Sequence, residues 1–221
     1  MRLFFFLLGV LIFGSQAPAW AEAPVVCMQP LGKHDVRLLK ISRAGIEHLY
    51  GFRIRLLDGK PLPLVAWYAP RKRWRAEKLL DYLDGLSGHD SGCDYMVGFT
   101  SRDISTTKDE IKDWGIFGLG TIGGPSCMVS TFRLGARKAT KRKKAERTIK
   151  VVNHELGHVL GLFHHPKKGC LMEDAKGTIR TVDSEHGLLC PDSKAAIERR
   201  LKLRLPALES FDFDKVIQGA D

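Results

Sequence analysis

His154, Glu155, His158, Gly161 and His164 form the pattern H-E-x-x-H-x-x-G-x-x-H, and no other stretch of the chain restricts its structure so tightly. Around them Ile149, Val152, Leu156, Val159 and Phe163 recur at three- and four-residue steps, which predicts a helix with one apolar stripe. His154 and His158 are one turn apart, so their imidazoles lie one above the other on the same face. Such a pair can hold two corners of a tetrahedral zinc. Glu155 stands beside the first of them, where a carboxylate reaches a metal-bound water. Gly161 accepts the left-handed conformation that ends many helices, and that turn lets His164 come back as a third ligand. Three protein ligands leave a fourth position open to water, the arrangement of a catalytic zinc and not of a structural one. A lone H-E-x-x-H arises by chance in unrelated proteins. Three surface histidines at a helix end is the plainer reading, but it leaves five residue types at fixed offsets unexplained.

The extended pattern is the metzincin pattern, which also requires a methionine turn beneath the metal. Met172 follows eight residues after His164. Beyond the third histidine the chain continues His165, Pro-Lys-Lys-Gly, Cys170-Leu171-Met172, seventeen residues, then Cys190-Pro191-Asp192-Ser193. In these residues the sequence resembles the archaemetzincins, whose pattern has cysteine next to the third histidine, then Cys-x-Met, then Cys-x-x-Cys at the same spacings. His165 and Ser193 stand where that family has cysteine. The likeness extends upstream to Val26-Cys27-Met28-Gln29-Pro30-Leu31-Gly32, to Pro61-Leu62-Pro63 with Ala66-Trp67-Tyr68-Ala69-Pro70-Arg71, and to Ser130-Thr131-Phe132-Arg133-Leu134.

The resemblance implies a zincin of the metzincin type. Its mixed twisted sheet would have an antiparallel edge strand at 116–119, able to take a peptide as an added strand. An upper subdomain over 22–161 would carry the zinc helix, and a smaller lower one over 162–221 the methionine turn and a C-terminal helix. It implies a zinc metallopeptidase with His154, His158 and His164 on one catalytic ion, Glu155 as general base and Met172 as the floor. The family's four cysteines would hold a second, structural zinc. With His165 and Ser193 in two of those places that set is incomplete, so Cys170 and Cys190 are expected as a disulfide and one zinc per chain is expected. Cys93 and Cys127, each at the start of a strand, are the expected second pair, leaving Cys27 free.

The N-terminal segment is expected to be a signal peptide over 1–21. Arg2 precedes an uncharged apolar run, Leu3 to Phe13, that is too short for a membrane span, and Ala19-Trp20-Ala21 is a small-x-small cleavage site. Export to a periplasmic or extracellular compartment follows, with no stable membrane anchor after cleavage. The mature length suits one domain with a real core. The balance of 35 basic to 25 acidic residues gives a formal charge of +10, which favours anionic partners, but no nucleic-acid motif accompanies it and none is expected. Nine Lys or Arg residues between Arg133 and Lys150 read as a solvated loop and first helical turn, with the packed helix beginning near Ala145.

The remaining elements follow from pattern. A strand is expected over Pro24 to Pro30, then a helix over His34 to Tyr50 with Val36, Leu39, Ile46 and Leu49 inward, and a strand over Phe52 to Leu56. A turn is expected at Asp58-Gly59 and a helix over Trp74 to Leu86 with Leu79, Leu80 and Leu83 inward. Strands at Asp94 to Phe99, Ile116 to Leu119 and Met128 to Phe132 precede the zinc helix. A helix N-capped by Ser193 runs to Leu203, and the tail from Glu209 is loose unless Phe211 and Phe213 dock. The functional expectation is peptide hydrolysis, with a peptide or protein as partner. Its rival is a catalytically silent zinc- or peptide-binding protein on the same scaffold.

Overall fold

The computed structural model describes residues 22–87 and 92–220; the expected signal segment lies outside them. In chain order the first half comprises β1 (Val25–Pro30), α1 (Val36–Tyr50), β2 (Arg53–Leu56), β3 (Trp67–Tyr68), β4 (Arg73–Arg75) and α2 (Ala76–Leu86). There follow β5 (Tyr95–Thr100), β6 (Ile104–Lys108), β7 (Ile111–Ile116), β8 (Gly118–Gly120), β9 (Ser126–Ser130), α3 (Lys141–Val159), α4 (Ile179–Ser184), α5 (Pro191–Leu201) and α6 (Phe213–Gln218).

Val26, Cys27 and Met28 are all fully buried, as expected for a strand with parallel neighbours and both faces covered. The main sheet runs β2-β1-β5-β9-β8. The first four strands are mutually parallel, and β8 lies antiparallel to β9 at the edge. Side chains alternate between two cores. Val26, Met28, Val97 and Val129 face α1 and α3, whereas Cys27, Met96 and Met128 face α2 through Leu79, Leu80 and Leu83. This is a mixed α/β sheet with helices on both faces and an antiparallel edge strand, as the sequence suggested.

Several boundaries differ from expectation, each for a physical reason. Asp58-Gly59 makes no turn; the chain runs on extended, with Lys60 N–H donating to Pro30 O and Gly32 N–H to Lys60 O, so pairing with β1 continues past β2. Val36 begins α1 on the solvent side, and Phe163, 72% exposed, lies beyond the end of α3 and leaves the apolar stripe. Trp74 belongs to β4, not to α2. It pairs with Trp67 and Ile104 in a second sheet, β3-β4-β6-β7, that the sequence reading missed. The expected single strand at 116–119 divides at Phe117, because β7 pairs with β6 while β8 pairs with β9. Helix α3 starts at Lys141, where the Thr140 side chain accepts from Lys143 N–H; burial, however, begins at Ala145. Helix α5 starts at Pro191, whose ring suits the first helical position, and Ser193 is buried inside it. The tail forms α6, with Phe211 and Phe213 in tilted contact at 4.6 Å between ring centres.

The cysteines pair as Cys27–Cys93 and Cys170–Cys190, with Cα separations of 5.6 and 5.5 Å. The second bridge is the expected one. The Cys93–Cys127 pairing is not formed, because alternation puts Cys127 in the core under α1 and α3 while Cys27 and Cys93 lie on the α2 side. Cys127 is therefore the free cysteine, and burial pushes its thiol up.

Candidate active site

Helix α3 carries two imidazoles into a cleft under the free edge of β8. His154 Nδ1 lies 2.7 Å from Leu171 O, and His158 Nδ1 lies 2.8 Å from Leu162 O. A carbonyl only accepts, so each Nδ1 carries the proton and each Nε2 presents a lone pair. Those two Nε2 atoms face each other at 3.1 Å. Two lone pairs at that distance repel unless a cation lies against both. Tetrahedral zinc with Zn–N near 2.05 Å spaces its nitrogens by about 3.3 Å, so the donor pair fits the metal. Ligand atoms of His154, His158 and His164 all fall within 4.8 Å of one another. Burial, followed by the charge of His158, drives His154 down to about 3; burial likewise lowers His158. These two imidazoles are thus neutral, the form that binds metal.

The turn that brings His164 back is made by Gly161 at φ +92°, with Gly161 N–H donating to His158 O and Leu162 N–H to Gly157 O. His164 is half exposed, with Nδ1 4.0 Å from an Asp174 carboxylate oxygen. Met172 is fully buried below, and its sulfur lies against Gly157, where a Cβ would come within 2.5 Å of it. The same segment steers His154, since the accepting carbonyl belongs to Leu171. A methionine turn here therefore supports the cluster by backbone as well as by packing.

Glu155 is 8% exposed and pushed up to about 8 by burial, partly offset by a backbone hydrogen bond from Gly120. It opens on the cleft of about 420 Å³ that also holds the three histidines. Strand β8 can lie this close to α3 only because Gly118 and Gly120 turn the same face to it. A Cβ on Gly118 would sit 2.5 Å from Glu155 Cγ, and one on Gly120 would sit 2.5 Å from Glu155 O. The sequence reading missed both glycines, although their two-residue spacing marks one face of a strand. It also missed Asp174 and Glu185. Glu185 is buried and shares with His154 and Glu155 a small cavity of about 40 Å³ behind the site.

Cys170, Cys190 and His165 form a second cluster of possible ligands just beyond His164. Its sulfurs are bonded to each other, and His165 Nε2 is 2.8 Å from Asp192 Oδ2.

A family model described as peptidase family M54 matches residues 50–199. An archaemetzincin from Methanopyrus kandleri is 30% identical over 156 residues, which cover 71% of this chain and 83% of that protein. One from Haloarcula marismortui is 26% identical over 171 residues, 73% of this chain and 92% of its own length. Among solved structures, the archaemetzincin of Methanopyrus kandleri matches with a TM-score of 0.69 at 26% identity, covering 81% of this chain and 96% of its own. That of Archaeoglobus fulgidus matches at 0.66 and 23% identity, over 78% and 99%, and shows the same fold.

Proposed function

Because the chain belongs to peptidase family M54 and is a zinc metallopeptidase, we propose that it hydrolyses peptide bonds at the His154, His158 and His164 cluster, with Glu155 as general base. The observation that carries this reading is the convergence of three imidazoles, two of them held in the metal-binding tautomer, beside a buried carboxyl in one cleft. When bound, zinc supplies Lewis acidity, which makes water nucleophilic at neutral pH and polarises a carbonyl. Glu155 removes the proton of the attacking water and returns it to the leaving amine. The outer edge of β8 faces the cleft and can pair with an extended peptide, with the Gly120 N–H already given to Glu155, and its two glycines keep that edge close to Glu155.

The reading includes one zinc per chain, since the Cys170–Cys190 bridge consumes the two thiolates a second ion needs. It also includes export. The apolar run of Leu3 to Phe13 supports this, as do two disulfides of a kind that persists in oxidising compartments. Cleavage of a mixed peptide library, lost with chelator and restored by one equivalent of zinc, is the expected result. Zinc-loaded protein that cleaves no member of the library would replace the enzyme with a binding protein on the same scaffold.

A further inference from the structure

The two ends of the cleft differ in chemistry. At one end the loop after β8 is fastened to α3 by Gly123 N–H donating to His158 O, and the exposed side chains of Ile122 and Phe163 line it. At the other end the β6–β7 hairpin packs against residues 174–177. A Cβ on Gly177 would lie 2.9 Å from Trp114, and Lys108 Nζ stands over the Trp114 ring at 5.5 Å. Lys108 and Lys176 both line this end and are exposed. Neither is in an ion pair among the described residues. The carboxylate that lines the same end, Asp174, accepts from Lys176 N–H at 2.8 Å and faces His164. Two positive charges therefore stand against one negative, beside an aromatic wall.

We infer that this end is a subsite for a substrate carboxylate lying C-terminal to the scissile bond, with Lys108 and Lys176 as the residues that select it. The inference rests on the peptidase reading above. A peptide that adds antiparallel to β8 enters at the Ile122 and Phe163 end and leaves toward the hairpin. Trp114 precedes Gly118 by four residues, so at about 3.3 Å per extended residue the aromatic and lysine wall stands at most roughly 13 Å from the first residue of the edge strand. A long lysine side chain shortens that reach. The carboxylate then belongs to one of the first four residues after the cleaved bond, either as an Asp or Glu side chain or as the peptide's own C-terminus. The opposite, apolar end favours a hydrophobic residue before the bond, so the asymmetry also fixes the direction in which a substrate lies.

The test uses the full zinc-loaded chain and quenched peptides of one sequence. Glu is moved through the four positions after the cleavage site and compared with Gln at each. In a second arm the C-terminus is free or amidated. The expected result is a kcat/KM at least about 10-fold higher for the carboxylate form at one position or at the terminus, weakening with salt. In Lys108→Glu/Lys176→Glu that preference, taken as the ratio of carboxylate to neutral peptide within the same protein, disappears or reverses. Absence of any preference in the unaltered protein overturns the inference, as does a preference that survives the double reversal. If no peptide is turned over, the peptidase reading fails separately. Anisotropy of the same labelled pairs on zinc-loaded Glu155→Gln then decides the subsite, and equal affinities for acid and amide reject it.

Discussion

Two clusters of possible metal ligands adjoin at His164 and His165, and they have opposite fates. In the first, three imidazoles converge, and two are steered by carbonyls of Leu162 and Leu171. In the second, Cys170 and Cys190 are joined to each other, and the imidazole of His165 is turned to Asp192. Proximity is the same in both, since each set of ligand atoms lies within 4.8 Å. What separates them is the state of the donor atoms. Free lone pairs in a neutral site invite a cation, whereas a sulfur in a disulfide has no thiolate to give. On the proposed reading the first cluster is thus equipped for metal, and the second works as a cross-link between the methionine-turn segment and α5.

The most damaging way to break this contrast is to remove a ligand from the first cluster. His158→Ala is expected to lose both bound zinc and all measurable hydrolysis, by metal analysis and peptide assay. Retention of a full equivalent of zinc would place the metal elsewhere, with the cysteine cluster as the first suspect. Glu155→Gln separates binding from chemistry. It is expected to keep its zinc and lose turnover by a factor of about 10² or more, because the base is gone while the ligands stay. Unchanged turnover would remove Glu155 from the mechanism.

The second cluster is expected to yield a stability effect and not a catalytic one. Its bridge closes a loop across a sequence separation of 20, worth roughly 3 kcal/mol by loop-closure entropy. Cys170→Ala/Cys190→Ala should lower the free energy of unfolding by about that amount while leaving zinc stoichiometry at one and activity near normal at low temperature. Two equivalents of zinc in the unaltered protein, or free thiols at both positions after isolation under non-reducing conditions, would reverse the contrast.

The first cluster was almost wholly legible in the sequence because its geometry is local. Its three histidines, with Glu155 beside them, lie on or just past one helix, and helical spacing fixes where those on it point. The second sheet was not legible. Its strands are short and polar, as in Ile104-Ser105-Thr106-Thr107-Lys108, and Arg73-Trp74-Arg75 shows no period that distinguishes it from the helix it precedes. The Cys27–Cys93 bridge depends on which face of a strand each sulfur occupies, and that is settled only when β1 and β5 pair. Gly118 and Gly120 fall between these cases: their alternation is visible, but what they make room for is Glu155, 35 residues away from the nearer of them in sequence.

A last effect, read from its pH dependence, tests whether the loop closed by the Cys170–Cys190 bridge also acts electrostatically behind the first cluster. Glu185 lies within that loop and is only 5% exposed; burial pushes it up to about 8, although the Lys150 charge pulls it back. In the unfolded chain the same carboxyl ionises near 4.5. Between those values the folded state holds a proton that the unfolded state has released, so the unfolded state binds fewer protons and stability falls as pH rises. The contribution is complete below about 4.5 and gone above about 8, with a slope of at most about 1.4 kcal/mol per pH unit. Glu185→Gln keeps the shape and cannot ionise, so its stability should exceed that of the unaltered protein increasingly from pH 5 to pH 8. Denaturant midpoints measured at half-unit pH steps give the difference directly. A difference that does not vary with pH would mean that Glu185 is ionised and fully compensated in the fold, with Lys150 as its permanent counter-charge.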